Sequence, residues 1–213
     1  LKDIWQKSLV TGPLGVNCYI LGCPQSRRAI VIDPGGNADE ILALLADNGF
    51  LLKTVVNTHG HFDHIGGNRT LIEATGAELL LHRADLPLMQ GAAAHAASFG
   101  IATADPSPAP DRFVEDGDRI EVGSIHLEAI HVPGHSPGSV CLKCGDVLFV
   151  GDVLFAGSIG RTDLPGGDHL TLLKGLQSRL LTLPDRTVVY PGHGPETTIG
   201  RERQSNPFLN YFD

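Results

Sequence analysis

Thr58-His59-Gly60-His61-Phe62-Asp63-His64 packs three imidazoles and a carboxylate into six consecutive residues. Buried without partners, such groups cost roughly several kcal/mol. A divalent cation turns that cost into binding energy, because imidazole nitrogen and carboxylate oxygen both suit zinc and similar ions. His59 and His61, two apart, face the same way if the preceding strand continues briefly. Asp63 and His64 then turn back towards a neighbouring point. The alternative is an exposed polar loop rich in His, and the downstream sequence argues against it.

The pattern recurs along the chain. Leu51 to Val56 reads as a buried strand that ends at the His cluster. Ile125 to Val132 reads as a second strand and stops at Pro133-Gly134-His135. Val147 to Val150 stops at Gly151-Asp152, and Thr187 to Tyr190 stops at Pro191-Gly192-His193. Each apolar run ends at a small or rigid residue followed by a metal-ligating type. Glycine and proline there let the backbone turn and approach a site closely. A lone His or Asp after a strand is usually a cap or a solvated group. Four such ends imply convergence on one centre, and strand ends hold ligands more rigidly than free loops do.

These motifs, Thr-His-x-His-x-Asp-His, Pro-Gly-His, Gly-Asp and Pro-Gly-His, resemble the metallo-β-lactamase superfamily. Thr11-Gly12-Pro13-Leu14, Asn17-Cys18-Tyr19-Ile20, Gly157 to Asp163 and Asn206-Pro207-Phe208-Leu209 resemble its glyoxalase II-like branch, the hydroxyacylglutathione hydrolases. The resemblance spans essentially the whole chain. It implies a four-layered αββα sandwich and a single domain over residues 1–213. The larger glyoxalase II enzymes carry a helical C-terminal extension that helps to bind glutathione. This sequence resembles the short forms, so a weak or broad preference for the thiol half is expected.

The resemblance also implies roles. His59, His61 and His135 would hold one metal, Asp63, His64 and His193 the other, and Asp152 would bridge them. Two divalent cations about 3.5–4 Å apart lower the pKa of a shared water and make hydroxide available near neutral pH. Attack on a thioester carbonyl would then need no Ser or Cys nucleophile, and no convincing one is present. Asp63 would serve as ligand and could also align the water, two roles the sequence does not separate; Asp63 and Asp152 are the expected catalytic carboxylates. Zinc is the first choice of metal, with iron or manganese as alternatives, because His/Asp sites accept all three. The expected activity is hydrolysis of S-2-hydroxyacylglutathione, such as S-lactoylglutathione, to hydroxy acid and thiol. A persulfide dioxygenase, with one iron on His59, His135 and Asp152, shares the Gly-Arg-Thr-Asp segment and is the runner-up. A lactonase or β-lactamase is a further alternative, although Asp152 in the bridging place speaks against the β-lactamases. A non-catalytic binding module fits least, since every ligand position is filled.

Arg161 follows the Asp152 strand on a Gly-rich loop. Its planar fork suits a substrate carboxylate, and an ion pair with Asp163 or Asp168 is the equal alternative. His131 precedes His135 and is expected either to support the ligands or simply to pack. His82, His95, His126 and His169 are read as surface or core residues. His95 and Phe99 are expected on a plain surface helix rather than over the site.

The 213 residues can bury a substantial core, and 42% of them are apolar. A formal charge of −8 argues against a phosphate-backbone binder, so no nucleic-acid partner is expected. No apolar stretch reaches the roughly 20 residues of a membrane span, and no secretory signal pattern opens the chain. Cys18, Cys23, Cys141 and Cys144 form no zinc pattern, and no disulfide framework is expected in a chain of this size. Cytoplasmic location and a small-molecule thioester substrate follow as expectations; oligomeric state is left open. Cys141 and Cys144 should face opposite sides of their sheet.

Strands are expected at 4–10, 16–21, 29–33, 52–57, 77–82, 112–114, 118–122, 125–132, 138–144, 146–150 and 187–190, the last being final. Helices are expected at 38–48, 66–75, 83–100 and 168–182, and a Pro-rich loop at 104–111. Two sheets packed face to face with helices outside would satisfy this order.

Overall fold

The computed structural model describes residues 4–102 and 106–209. The first sheet has the order β1 (Trp5–Thr11), β2 (Val16–Cys23), β3 (Arg28–Ile32), β4 (Leu51–Val56), β5 (Glu78–Leu81) and β6 (Arg112–Phe113). The second contains β7 (Arg119–Val122), β8 (Ile125–His131), β9 (Val140–Cys144), β10 (Val147–Gly151), β13 (Val188–Pro191) and β14 (Thr197–Thr198). Its spatial order is β14-β13-β10-β9-β8-β7. A short hairpin, β11 (Leu154–Phe155) and β12 (Ser158–Ile159), stands apart from both.

Alternation along the strands builds three apolar layers. Leu21, Ile32, Val56 and Leu80 meet Leu127, Leu142 and Phe149 between the sheets. Their neighbours Ile20, Val31 and Val55 face the opposite way, onto α1 (Ala38–Asp47), α3 (Asn68–Thr75) and α5 (Ala92–Ser98). On the far side, Ile130, Cys141, Leu148 and Val150 pack under α6 (His169–Gly175), its continuation through Leu180, and α7 (Ile199–Ser205). Successive residues of a strand point to opposite faces, so one strand feeds two cores. Cys141 lies in the outer core and Cys144 in the inner one, as alternation demands. The architecture is the αββα sandwich.

Pairing carries the ligand-bearing ends to one edge. β3 and β4 run parallel with Ile32 opposite Val56, which sets Asp33 beside the segment after β4. β10 and β13 also run parallel, with Gly151 opposite Pro191 after a register shift. Asp152 and His193 therefore leave neighbouring strands at the same end.

The structure corrects several boundaries. A separate one-turn helix, α2 (Phe62–Ile65), precedes α3, so Asp63 and His64 sit on a helix rather than after a strand. The expected helix at 83–100 is three pieces: a 3-10 turn at Arg83–Asp85, α4 (Leu86–Gln90) and α5. Gly91 interrupts it, and glycine weakens a helix interior. The 168–182 helix loosens into a π turn over Leu176–Leu180. The strand at 187–190 is not the last element, because β14 and α7 follow. Ile199-Gly-Arg-Glu-Arg-Gln-Ser lacks an apolar period, which hid α7. Thr198 caps it by accepting from the Arg201 N–H, at 3.2 Å. Buried Glu202 holds it down by accepting from Thr197 Oγ1 and the Gly157 N–H, at 2.6 and 2.8 Å. Residues 104 and 105 of the expected Pro-rich loop lie outside the described residues. No helix among the described residues is long and apolar enough to cross a membrane.

Candidate metal centre

The first ligand segment begins where β4 stops at Val56. Asn57 Nδ2 donates to the His64 carbonyl at 3.1 Å, folding residues 58–64 into a compact loop. His61 leads into α2 with extended backbone, and that single turn presents Asp63 and His64 back towards His59. His135 enters from the β8–β9 connection, Asp152 from the end of β10, and His193 from the end of β13.

The side chains form two adjoining groups. In the first, His135 Nε2 lies 3.3 Å from His59 Nε2 and 3.0 Å from His61 Nδ1. In the second, Asp63 Oδ2 lies 3.2 Å from His193 Nε2 and 3.6 Å from His64 Nε2. Within each group one potential ligand atom per residue falls within 4.8 Å of the others. Asp152 stands between them, with Oδ1 3.4 Å from His64 Nε2. Its Oδ2 lies 3.7 Å from His193 and 3.8 Å from His135. All seven residues singled out as ligands thus meet at one place.

The donor set fits divalent ions. His61 Nε2, His64 Nε2 and Asp152 Oδ1 are buried with no hydrogen-bond partner. Orphaned polar atoms of this kind are rare in folded proteins unless something else satisfies them. Ring nitrogens meeting at hydrogen-bond distance, with several lone pairs aimed at one another, suit a cation at their centre.

Burial, then the neighbouring imidazoles, hold His59 well below the usual histidine range. Burial and the adjacent His135 push His61 down to about 3. Both therefore keep free lone pairs, the form a metal needs. In the second group, burial would lower His64, but Asp152, Asp63 and Asp33 outweigh it and hold it well above the usual range. The hydrogen bond that His193 donates to Asp63 raises His193. Burial works against ionisation of Asp63, yet His64 and His193 hold it well below the usual carboxylate range.

Two groups at the site escaped the sequence reading. Asp33 accepts from the Thr58 N–H at 2.7 Å and from Thr58 Oγ1 at 2.6 Å. It also lies 3.1 Å from His64 Nδ1, so it fixes that ring and leaves Nε2 facing Asp63 and Asp152. Only the strand end Ile32-Asp33-Pro34 could have signalled it. The other is the main chain of Arg161, whose carbonyl lies 2.8 Å from His135 Nδ1 and fixes that ring similarly. The Arg161 guanidinium is exposed and makes two 2.7 Å bonds to Asp163. Asp168 instead caps α6.

A cavity of about 170 Å³ opens over the ligands, walled by Leu14, Phe62, His95, Phe99, Arg161 and Leu164. The expectation of a plain surface helix for His95 and Phe99 is therefore overturned: their rings pack at 5.4 and 6.0 Å from Phe62 and extend its wall. Ala-rich α5 gave no sign of this: only Ala92 and Ala96 are buried while Ala93, Ala94 and Ala97 are exposed, so no apolar stripe singles out the two rings. A larger hollow of about 510 Å³ near Leu42, Phe50 and Lys53 has no ligating side chain on its wall. His131 packs: its ring stacks on His82 at 4.2 Å, and its Nε2 lies 2.9 Å from the Pro137 carbonyl.

Residues 11–193 match the Metallo-beta-lactamase superfamily. The chain is 39% identical to the "Probable metallo-hydrolase YqgX" of Bacillus subtilis, covering 98% of both chains. It is 38% identical to "Hydroxyacylglutathione hydrolase GloC" of Haemophilus influenzae, covering 91% of this chain and 92% of that one. Among solved structures, BLEG-1 B3 metallo-beta-lactamase superposes with a TM-score of 0.88 at 37% identity, covering 97% of this chain and 100% of that one. TTHA1623 in a di-iron-bound form gives 0.87 at 41%, over 95% and 100%. ETHE1 from Myxococcus xanthus gives 0.80 at 29%, over 95% and 83%.

Proposed function

This chain belongs to the metallo-beta-lactamase superfamily, and on that premise we propose that it is a dinuclear metal-dependent hydrolase of thioesters. Its substrate would be an S-2-hydroxyacyl thioester such as S-lactoylglutathione, released as hydroxy acid and thiol. One observation carries this reading: both ligand groups are complete, and Asp152 stands between them within 4 Å of each. Similarity to a hydroxyacylglutathione hydrolase and to a di-iron protein supports it. Zinc is our first choice for both ions, with iron or manganese as the alternatives. All four cysteines are free, which supports a reducing compartment such as the cytoplasm.

Two bound divalent ions would supply Lewis acidity to the thioester carbonyl and a lowered pKa to water. The protein does the rest. His59 and His61 offer neutral nitrogens, the His135 ring adds a third imidazole, and Asp152 holds the two groups in register. Asp63 lines the cavity, where its carboxylate can accept a hydrogen bond from the attacking water and align it. Leu14, Phe62, Phe99 and Leu164 give the carbonyl an apolar wall that limits access of bulk water. A thiolate is a good leaving group, so no dedicated general acid is required.

The test is anaerobic. S-lactoylglutathione is supplied to the metal-loaded protein and free thiol is followed. Thiol should appear without oxygen, stop on chelation and return with metal. The Gly160-Arg161-Thr162-Asp163 segment keeps open a second reading, persulfide dioxygenation. A protein that ignores thioesters but consumes oxygen with glutathione persulfide, forming sulfite, would establish that one instead. Hydrolysis of lactones or β-lactams in preference to thioesters would establish the third.

A further inference from the structure

Asp85 belongs to neither ligand group, yet it touches both segments that carry the all-histidine one. It closes the 3-10 turn at Arg83–Asp85 and is completely buried. Its Oδ2 accepts from the Gly60 N–H at 2.9 Å and from Ser136 Oγ at 2.7 Å. Its Oδ1 accepts from the Gly138 N–H at 2.5 Å. Gly60 separates His59 from His61, and Ser136 follows His135. One carboxylate therefore bridges the neighbours of all three imidazoles, across more than fifty residues of chain.

The simpler roles for such a residue do not apply. Asp85 occupies the N-cap position of α4, but its side chain makes no cap hydrogen bond. None of its three partners is charged, so it is not half of an ion pair. A buried carboxylate held by neutral donors alone is expensive. The surroundings are shaped to it: a Cβ on Gly138 would lie 2.8 Å from the Asp85 carboxyl carbon. A Cβ on Gly60 would lie 2.6 Å from the Asp85 carbonyl oxygen. The turn is anchored too. His82 Nδ1 accepts from the Ala84 N–H at 3.2 Å. The His82 ring stacks on His131, beside the Pro137 carbonyl.

We propose that Asp85 is a positioning residue, a clip that holds residues 59–61 and 135–138 at the separation one shared ion requires. The proposal rests on the metal-centre reading above. Without the clip each segment could still fold on its own sheet. Bringing His135 to His59 and His61 would then cost free energy at the moment the ion binds.

Asp85→Asn tests it. Whichever way the amide turns, its NH₂ meets a backbone N–H, of Gly60 or of Gly138, that cannot accept. Ser136→Ala removes one donor with little change in volume, and it carries the test if the first variant fails to fold. Metal-free proteins are titrated with cobalt(II) against a competing chelator, with elemental analysis for stoichiometry. Asp85→Asn should weaken one of two ions by about 10–100-fold, the range seen when a ligand's supporting partner is lost. Ser136→Ala should weaken the same ion by a smaller factor. Hydrogen exchange at the Gly60 and Gly138 amides of the metal-free protein should accelerate in Asp85→Asn. A role confined to folding would lower the melting temperatures of metal-free and loaded protein together and leave both binding constants unmoved. Two ions bound with wild-type constants in both variants would overturn the clip and leave the proposed function standing. A wild-type protein that takes up no ion would refute the proposed function, and the clip with it.

Discussion

The two ligand groups differ more than their adjacency suggests. His59, His61 and His135 are all imidazole and all buried, and burial with mutual repulsion keeps His59 and His61 unprotonated. They surround a space that suits a cation. Asp63, His64 and His193 mix carboxylate with imidazole, and the His193 side chain is 30% exposed. Here acid and base meet directly, Asp63 holding His193 and Asp33 holding His64 Nδ1, and only His64 Nε2 is left without a partner. The first group is a socket; the second is a network that balances its own charge. The lesson is that seven similar-looking ligands need not bind two ions alike: one ion meets waiting lone pairs, the other displaces protons.

The severest way to break this comparison is Asp152→Ala, because Asp152 is the side chain the two groups share. Thioester kcat/KM should fall by about 10³-fold or more, roughly 4 kcal/mol of lost transition-state stabilisation. Elemental analysis should show metal loss alongside, and a variant that keeps two ions and its rate would erase the bridging role. Acidification sharpens the contrast. His64 and His193 sit above the usual imidazole range, so protons compete with metal there as pH falls. His59 and His61 sit below it and stay unprotonated far longer. Dialysis in steps from about pH 8 to about pH 5 should therefore release one equivalent first, from the second group. Release of both together would show that the groups titrate as one.

Asp33→Asn comes next in size. His64 loses its carboxylate partner, and the ion on the second group should weaken about 10-fold or more; the first group should weaken less, through Thr58, whose Oγ1 binds Asp33 and lies 3.1 Å from His59 Nδ1. Cobalt(II) titration reads this directly, and equal weakening of both ions would contradict it. Arg161→Ala should have the smallest effect. The guanidinium is exposed and already paired with Asp163, so the KM for a glutathione thioester should rise no more than about tenfold with metal content intact. Arg161→Gly would also loosen the carbonyl that holds His135, and it should cost metal where Arg161→Ala does not.

The ligands were legible because they follow a local pattern, continuous apolar runs that stop before a ligand, three of the four at Gly or Pro, and the sandwich because the ligand motifs resemble those of one family. What stayed hidden was held by long-range contact. Asp33 reads as an ordinary strand-end residue until β3 is paired with β4. His95 and Phe99 sit in a run of alanines whose periodicity says nothing about the neighbouring loop. The Arg161 contribution is a carbonyl, and no side-chain pattern reports a carbonyl. α7 was invisible because Thr198 and buried Glu202 hold it, with no apolar stripe to announce it.

The seam between the sheets has one more consequence. His59 to His64 hang from the first sheet, whereas His135, Asp152 and His193 hang from the second. A nascent chain on the ribosome exposes the first four long before the last three, and an incomplete cluster binds any available divalent ion loosely. The complete cage exists only once β13 has docked beside β10. If the proposed metal centre holds, the spacing that discriminates between ions is present only in the finished fold, whereas loose histidines rank ions by intrinsic avidity alone.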